Sequence, residues 1–153
     1  MRIVTLCLVL FTVCSLAATT TFTDINAAMT GVFTSSSRWG DYDNDGYLDL
    51  IITGTTASTC LTKIYHNNGN GTFTDINAGL PGIRYGSAVW GDYDNDGYLD
   101  FAMSGDDNTE TFSTRIYHNN HNGTFTDINA GLPGVIWGSL AWAITTTTGA
   151  WIY

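Results

Sequence analysis

A ten-residue acidic segment, GDYDNDGYLD, occurs twice in this chain, at 40–49 and 91–100. It sits inside a longer repeat. TFTDINA stands at 21–27, 72–78 and 124–130, and IYHNN at 64–68 and 116–120. Phe22 to Phe73 is 51 residues and Phe73 to Phe125 is 52. The extra residue falls in SGDDNTETFST, between the acidic segment and IYHNN. Length variation confined to one loop is what stacked repeats produce, so the chain should fold as copies of one supersecondary unit.

Each unit reads as four short strands. The first leads into the acidic segment and ends at Trp39 or Trp90; the second leaves it as Leu48–Thr53 or Leu99–Ser104, apolar and β-prone. The third covers Leu61–His66 or Ser113–His118, and the fourth is GTFTDI after an Asn/Gly turn. No stretch beyond the N-terminal segment has helical periodicity. Gly, Thr, Asn and aromatic residues are abundant, Pro is rare, and Lys and Arg together number five, a usage that favours short strands and many turns. A unit of this length with four strands and a recurring Trp has the form of a propeller blade. The expected fold is all-β, an incomplete β-propeller of four-stranded antiparallel blades with about two and a half repeat units. Trp39, Trp90 and Trp142 are expected to pack between adjacent blades.

The acidic segment carries the chemistry. In D-Y-D-N-D-G-Y-L-D the carboxylates fall at positions 1, 3, 5 and 9. Ca²⁺ is a hard ion that takes six to eight oxygens, which suits clustered carboxylates. Asp41, Asp43 and Asp45 can turn inward together while Tyr42 and Asn44 point away; Asp92, Asp94 and Asp96 repeat the pattern. Gly46 and Gly97 permit the sharp turn. Tyr47 and Tyr98 would offer backbone carbonyls, and Asp49 and Asp100 would close the two shells. Two Ca²⁺ sites are therefore expected. Four carboxylates in one loop repel one another without an ion, so the ion should contribute to folding.

Other cations fit less well. Mg²⁺ prefers a small octahedral shell rich in water. Zinc is disfavoured because the loops themselves contain neither Cys nor His. A helix–loop–helix calcium site needs a bidentate Glu at position 12, where this chain has Ile52 or Met103 in an apolar run. His66, His118 and His121 lie in Asn-rich turns and read as solvated turn residues, the alternative being a second metal or a catalytic role.

Charge narrows the partners. The formal net charge is −9, and the eight Asp residues of the two loops account for most of the acidic excess. Nucleic acid and anionic membrane surfaces are unfavoured partners for such a chain. The sequence offers no nucleophile–base pairing and no phosphate-binding loop, so no enzyme activity is expected. Asp24, Asp75 and Asp127 of FTDIN read as turn-capping residues.

WGDYDNDGYLDLII and WGDYDNDGYLDFAM, followed by YHNNGNGTFTDI and YHNNHNGTFTDI, resemble FG-GAP/VCBS-type repeats such as the calcium-binding blades of the integrin α-subunit propeller. The resemblance covers nearly all of residues 19–153. It implies a β-propeller in which the loop joins the first two strands of a blade and holds Ca²⁺. Carried over by position, the ligands are Asp41, Asp43, Asp45, the Tyr47 carbonyl and Asp49, then Asp92, Asp94, Asp96, the Tyr98 carbonyl and Asp100. Such repeats occur in extracellular adhesion and binding proteins and beside catalytic domains of secreted enzymes, so the resemblance implies scaffold and ion better than partner.

The two ends carry further expectations. Met1-Arg2 followed by the apolar run Ile3–Leu16, with small residues at Ser15, Ala17 and Ala18, reads as a signal peptide over 1–18, hence a secreted chain. Cleavage would remove Cys7 and Cys14 and leave Cys60 alone, without an intrachain disulfide. The mature chain has no segment apolar enough to insert in a membrane. The third unit, from about 124, departs from the pattern. GLPGVIWGSLAW aligns with GLPGIRYGSAVW, but Ile144, Thr146, Thr148 and Ile152 then stand in place of the four carboxylates. GGC GAT TAC GAC AAC GAC GGG, read one base late, encodes Ala-Ile-Thr-Thr-Thr-Thr-Gly, the sequence Ala143–Gly149. The tail after Trp142 thus reads as a one-base frameshift of a third calcium loop.

Closed propellers need roughly four to eight blades. Two and a half units leave open edges through which copies could self-associate. Asn70-Gly71-Thr72 and Asn122-Gly123-Thr124 are N-glycosylation sequons. The expected function is a calcium-stabilised extracellular repeat fragment that binds a protein in adhesion. The alternatives are a glycan-binding module, a non-catalytic region of a secreted polysaccharide-degrading enzyme, and a truncated product without a function of its own.

Overall fold

Eight strands form two four-stranded antiparallel sheets, each in sequential order. The computed structural model describes residues 21–143. The proposed signal peptide and the proposed frameshifted residues from Ile144 onward lie outside that range. The first sheet comprises β1 (Phe33–Gly40), β2 (Asp49–Thr55), β3 (Cys60–Asn67) and β4 (Phe73–Asp75). The second comprises β5 (Arg84–Gly91), β6 (Asp100–Asp106), β7 (Phe112–Asn119) and β8 (Phe125–Asp127). These are the strands expected from the repeat, shifted by a residue or two, and the meander of four is that of a propeller blade. There is no helix among the described residues. Cys60 is a free thiol at the start of β3.

Burial explains why the second strand of each sheet is the most apolar. Every residue of β2 and of β6 is buried, so each is covered on both faces. Alternation sends Ile51 toward the second sheet, where it joins Ile64, Tyr42, Ile83, Ala88, Phe101, Met103 and Tyr117 in the main core. Leu50 and Ile52 point the other way and pack with Tyr65 under Met29, Val32 and Phe73. The residues before β1 therefore cover the face that a preceding blade would occupy. Thr30 fixes this cover by donating its amide to Tyr65 Oη at 3.0 Å.

The blade-to-blade contact is a tryptophan seated on a glycine. Trp90 leans over Gly40, where an added Cβ would stand 2.6 Å from its Cδ1, and its indole N–H donates to the Arg38 carbonyl at 3.1 Å. Trp142 repeats this one unit on, over Gly91, with its N–H on the Val89 carbonyl at 3.2 Å. The third unit thus lies on the second sheet by the same geometry, although no strand follows β8 among the described residues. Its Trp137 also takes a left-handed φ of 58°, as do Thr34 (49°) and Tyr85 (53°) at the matching irregularities opening β1 and β5.

One expectation is corrected, and one copy of a repeated motif departs from the others. Trp39 does not pack between blades: with no sheet before the first among the described residues, it is 55% exposed and only tilts against Phe73, centroids 6.0 Å apart. TFTDI at 21–25 forms no strand, and Phe22 is 98% exposed. Phe73 and Phe125 of the same motif are half-buried because β3 and β7 lie beside them as partners.

Candidate metal centre

Each acidic loop is the connection between the first two strands of its sheet. Its shape is set by carboxylates accepting from the backbone. Asp41 accepts from the amides of Asp45 (3.1 Å) and Gly46 (3.0 Å), and Asp45 accepts from the Tyr47 amide at 2.8 Å. The second loop repeats these bonds at the same lengths, Asp92 with Asp96 and Gly97, and Asp96 with Tyr98. Asn44 and Gly46 take left-handed backbone angles of 60° and 89°, and Asn95 and Gly97 follow at 62° and 90°. Asn tolerates that region and Gly meets no penalty there, which is why these types punctuate the turn.

The closing aspartates differ in setting from the others. Asp49 and Asp100 have no solvent exposure. Asp49 accepts from the amides of Tyr42 (3.1 Å) and Asn67 (2.8 Å), and Asp100 from those of Tyr93 (3.0 Å) and Asn119 (2.8 Å). Burial nonetheless pushes both carboxyls above the usual carboxylate range, against these hydrogen bonds. A cation beside it would stabilise a buried carboxylate in this position.

Asp41, Asp43 and Asp45 each place an oxygen within 4.8 Å of the other two, and Asp92, Asp94 and Asp96 do the same. Oxygens on one Ca²⁺ lie about 2.3–2.6 Å from the ion, so two of them stand at most roughly 5.2 Å apart. The loop carboxylates therefore fit a calcium shell. Each retains acceptor capacity beyond its backbone bond, since a carboxylate offers about four lone-pair sites. The side chains between the ligands face elsewhere, as expected. Tyr42 is buried between the sheets, stacked on Trp90 at 6.2 Å, and its phenol is pushed up to about 12 by burial and then by Asp43, Asp49 and Asp45. Asn44 reaches the other loop, donating its amide to the Gly97 carbonyl at 2.9 Å.

The histidines differ from the sequence reading. His66 Nδ1 lies 3.2 Å from Asp43 and 3.3 Å from Asp49, and His118 Nδ1 lies 3.3 Å from Asp94 and 3.4 Å from Asp100. His121 Nε2 lies 2.6 Å from Asp96 Oδ2. They belong to the acidic sites. Antiparallel pairing of the second and third strands returns the chain to the loop, Leu50 opposite Tyr65 and Phe101 opposite Tyr117, so the next residue borders it. The recurrence of YHNN after LD in both copies, one residue later in the second, was the available signal.

Remaining motif residues fall as expected. Asp24, Asp75 and Asp127 cap their turns, accepting from the amides of Asn26, Asn77 and Asn129 at 2.7, 2.9 and 2.8 Å. Asp75 and Asp127 also pair with Lys63 (2.7 Å) and Arg115 (2.9 Å). Asn70 and Asn122 are exposed in their turns, their carbonyls accepting from Thr72 and Thr124.

Two four-stranded blades, each opening on an acidic turn between its first two strands, define a repeat module of the propeller kind. Residues 41–103 match the family model of the FG-GAP-like repeat, and this stretch of the chain is such a repeat. The match runs from Asp41, the first acidic position of the first loop, to Met103 in β6, and includes the whole second loop. No curated protein and no solved structure matches the chain.

Proposed function

We propose that this chain is a calcium-stabilised extracellular repeat module that serves adhesion or protein binding, with Ca²⁺ in a structural and not a catalytic role. The observation that supports it best is the gathering of three loop carboxylates at each turn, with a fourth, wholly buried, beside Asp43 in the first loop and beside Asp94 in the second. Asp41, Asp43, Asp45, the Tyr47 carbonyl and Asp49 would hold one ion; Asp92, Asp94, Asp96, the Tyr98 carbonyl and Asp100 would hold the other. The ion would supply the positive charge that lets these carboxylates stay ionised, and so would fix the turn between the first two strands of each blade. The signal-like segment supports secretion, where free calcium is abundant and the exposed Asn70 and Asn122 would be open to glycosylation in a eukaryotic host.

Isothermal titration of the calcium-free chain with Ca²⁺ tests the reading. Two ions per chain are expected, falling to one in Asp45→Asn and one in Asp96→Asn. A chain that takes up no Ca²⁺ at millimolar concentration would sink the proposal.

A further inference from the structure

The two loops are not chemically equal. At the position of Gly69 in the turn after β3, the turn after β7 carries His121. His121, His118 and Asp96 each place one donor atom within 4.8 Å of the other two, two imidazole nitrogens and a carboxylate oxygen. We propose that the second loop holds a mixed nitrogen–oxygen site for a borderline divalent transition ion of the Zn²⁺ class, which the first loop lacks.

The ligands are held in place by the fold. His121 has a left-handed φ of 60°, its amide donates to Asn119 Oδ1 at 2.9 Å, and its ring stacks on Tyr98 with centroids 3.9 Å apart. His118 stands in β7 opposite Thr126, with its ring edge-on to Tyr93. The rings of His118 and His121 lie 6.0 Å apart. His118 Nδ1 is shut off from solvent and makes no hydrogen bond. An orphaned imidazole nitrogen beside carboxylates is costly as it stands and is a donor for a metal.

Donor chemistry separates this site from the calcium shell. Imidazole suits zinc, copper and nickel, whereas Ca²⁺ takes oxygen. Zn²⁺ binds imidazole nitrogen at about 2.0–2.1 Å, so neighbouring donors in a tetrahedral shell stand roughly 3.4 Å apart. The triad spans that separation, from the 2.6 Å His121–Asp96 contact to its 4.8 Å limit, and His121 is exposed enough to adjust. His121 also lines a cleft of about 480 Å³ between the two blades, through which a water or an outside donor reaches the open fourth position. In the first loop the glycine stands against Tyr47 in the histidine's place, leaving only the single imidazole of His66 near Asp43 and Asp49.

The inference shares Asp96 with the calcium reading but does not need that reading to hold. The full chain, free of any histidine tag and of calcium, is titrated at neutral pH with Zn²⁺ in competition with a chromogenic chelator, and separately with Co²⁺. One Zn²⁺ per chain is expected, and Co²⁺ should give the strong visible absorption of a four-coordinate ion. His121→Gly, which copies the first loop and suits the left-handed backbone, should weaken Zn²⁺ binding roughly tenfold or more. The same variant should still take up Ca²⁺ as the unaltered chain does in zinc-free buffer. Absence of Zn²⁺ binding, two equivalent Zn²⁺ ions, or an unchanged Zn²⁺ affinity in His121→Gly would each overturn the site. Failure of Ca²⁺ uptake alone would count only against the calcium reading.

Discussion

At the scale of single residues, the buried aspartates and the seat glycines carry the most weight. Asp49→Ala leaves the amides of Tyr42 and Asn67 without their acceptor. Urea unfolding in the absence of calcium should show a loss of about 1–3 kcal/mol from that change. Gly40→Ala acts differently, by pressing a methyl into the Trp90 ring. Overpacking of this kind costs about 1–3 kcal/mol, and near-ultraviolet dichroism should report a disturbed tryptophan. The acidic ligand positions were legible in the sequence because loop and ligands are contiguous. The histidines were not, since each is brought to its carboxylates across 17 or more residues of chain, as Asn67 is brought to Asp49. The reading that disfavours zinc rests on loop composition alone, and strand pairing brings His118 and His121 to the loop from outside it.

At the scale of elements, β2 and β6 owe their burial to what covers each face, and the closing aspartates begin both strands. The folded-state pKa of Asp49 and of Asp100 is raised, so between the unfolded value and the folded one the native chain binds more protons than the unfolded chain. Stability contributed by these two groups is present below the unfolded value and is lost as pH rises through the folded value. Thermal melts of the calcium-free chain should therefore show this contribution falling as pH rises out of the carboxylate range, and saturating Ca²⁺ should remove the fall. The strands themselves were readable from alternation and turn residues. The failure of TFTDI at 21–25 to form a strand was not, because pairing needs a third strand beside it and propensity is local. The same dependence on a neighbour leaves Trp39 exposed while Trp90 is seated.

At the scale of the whole molecule, the two loops are joined by the Asn44–Gly97 bond and the sheets by Trp90 on Gly40. Ca²⁺ at a hundred times its dissociation constant should stabilise each independent site by about 2.7 kcal/mol, read as a rise in melting temperature that EGTA reverses. Trp90→Ala should cost about 3–5 kcal/mol by emptying the seat between the sheets. Repetition made the blades predictable, but not the cover that Met29 and Val32 lay over the first of them, which no repeat encodes. The tryptophan–glycine seat also gives the array a direction. Each unit offers an indole to the unit before it and a bare backbone to the unit after it. In the third unit the residue after Trp142 is Ala143, where the first two units carry Gly40 and Gly91. One methyl group at that spot denies the next indole its place, so a second copy cannot append its Trp39 there in the same manner.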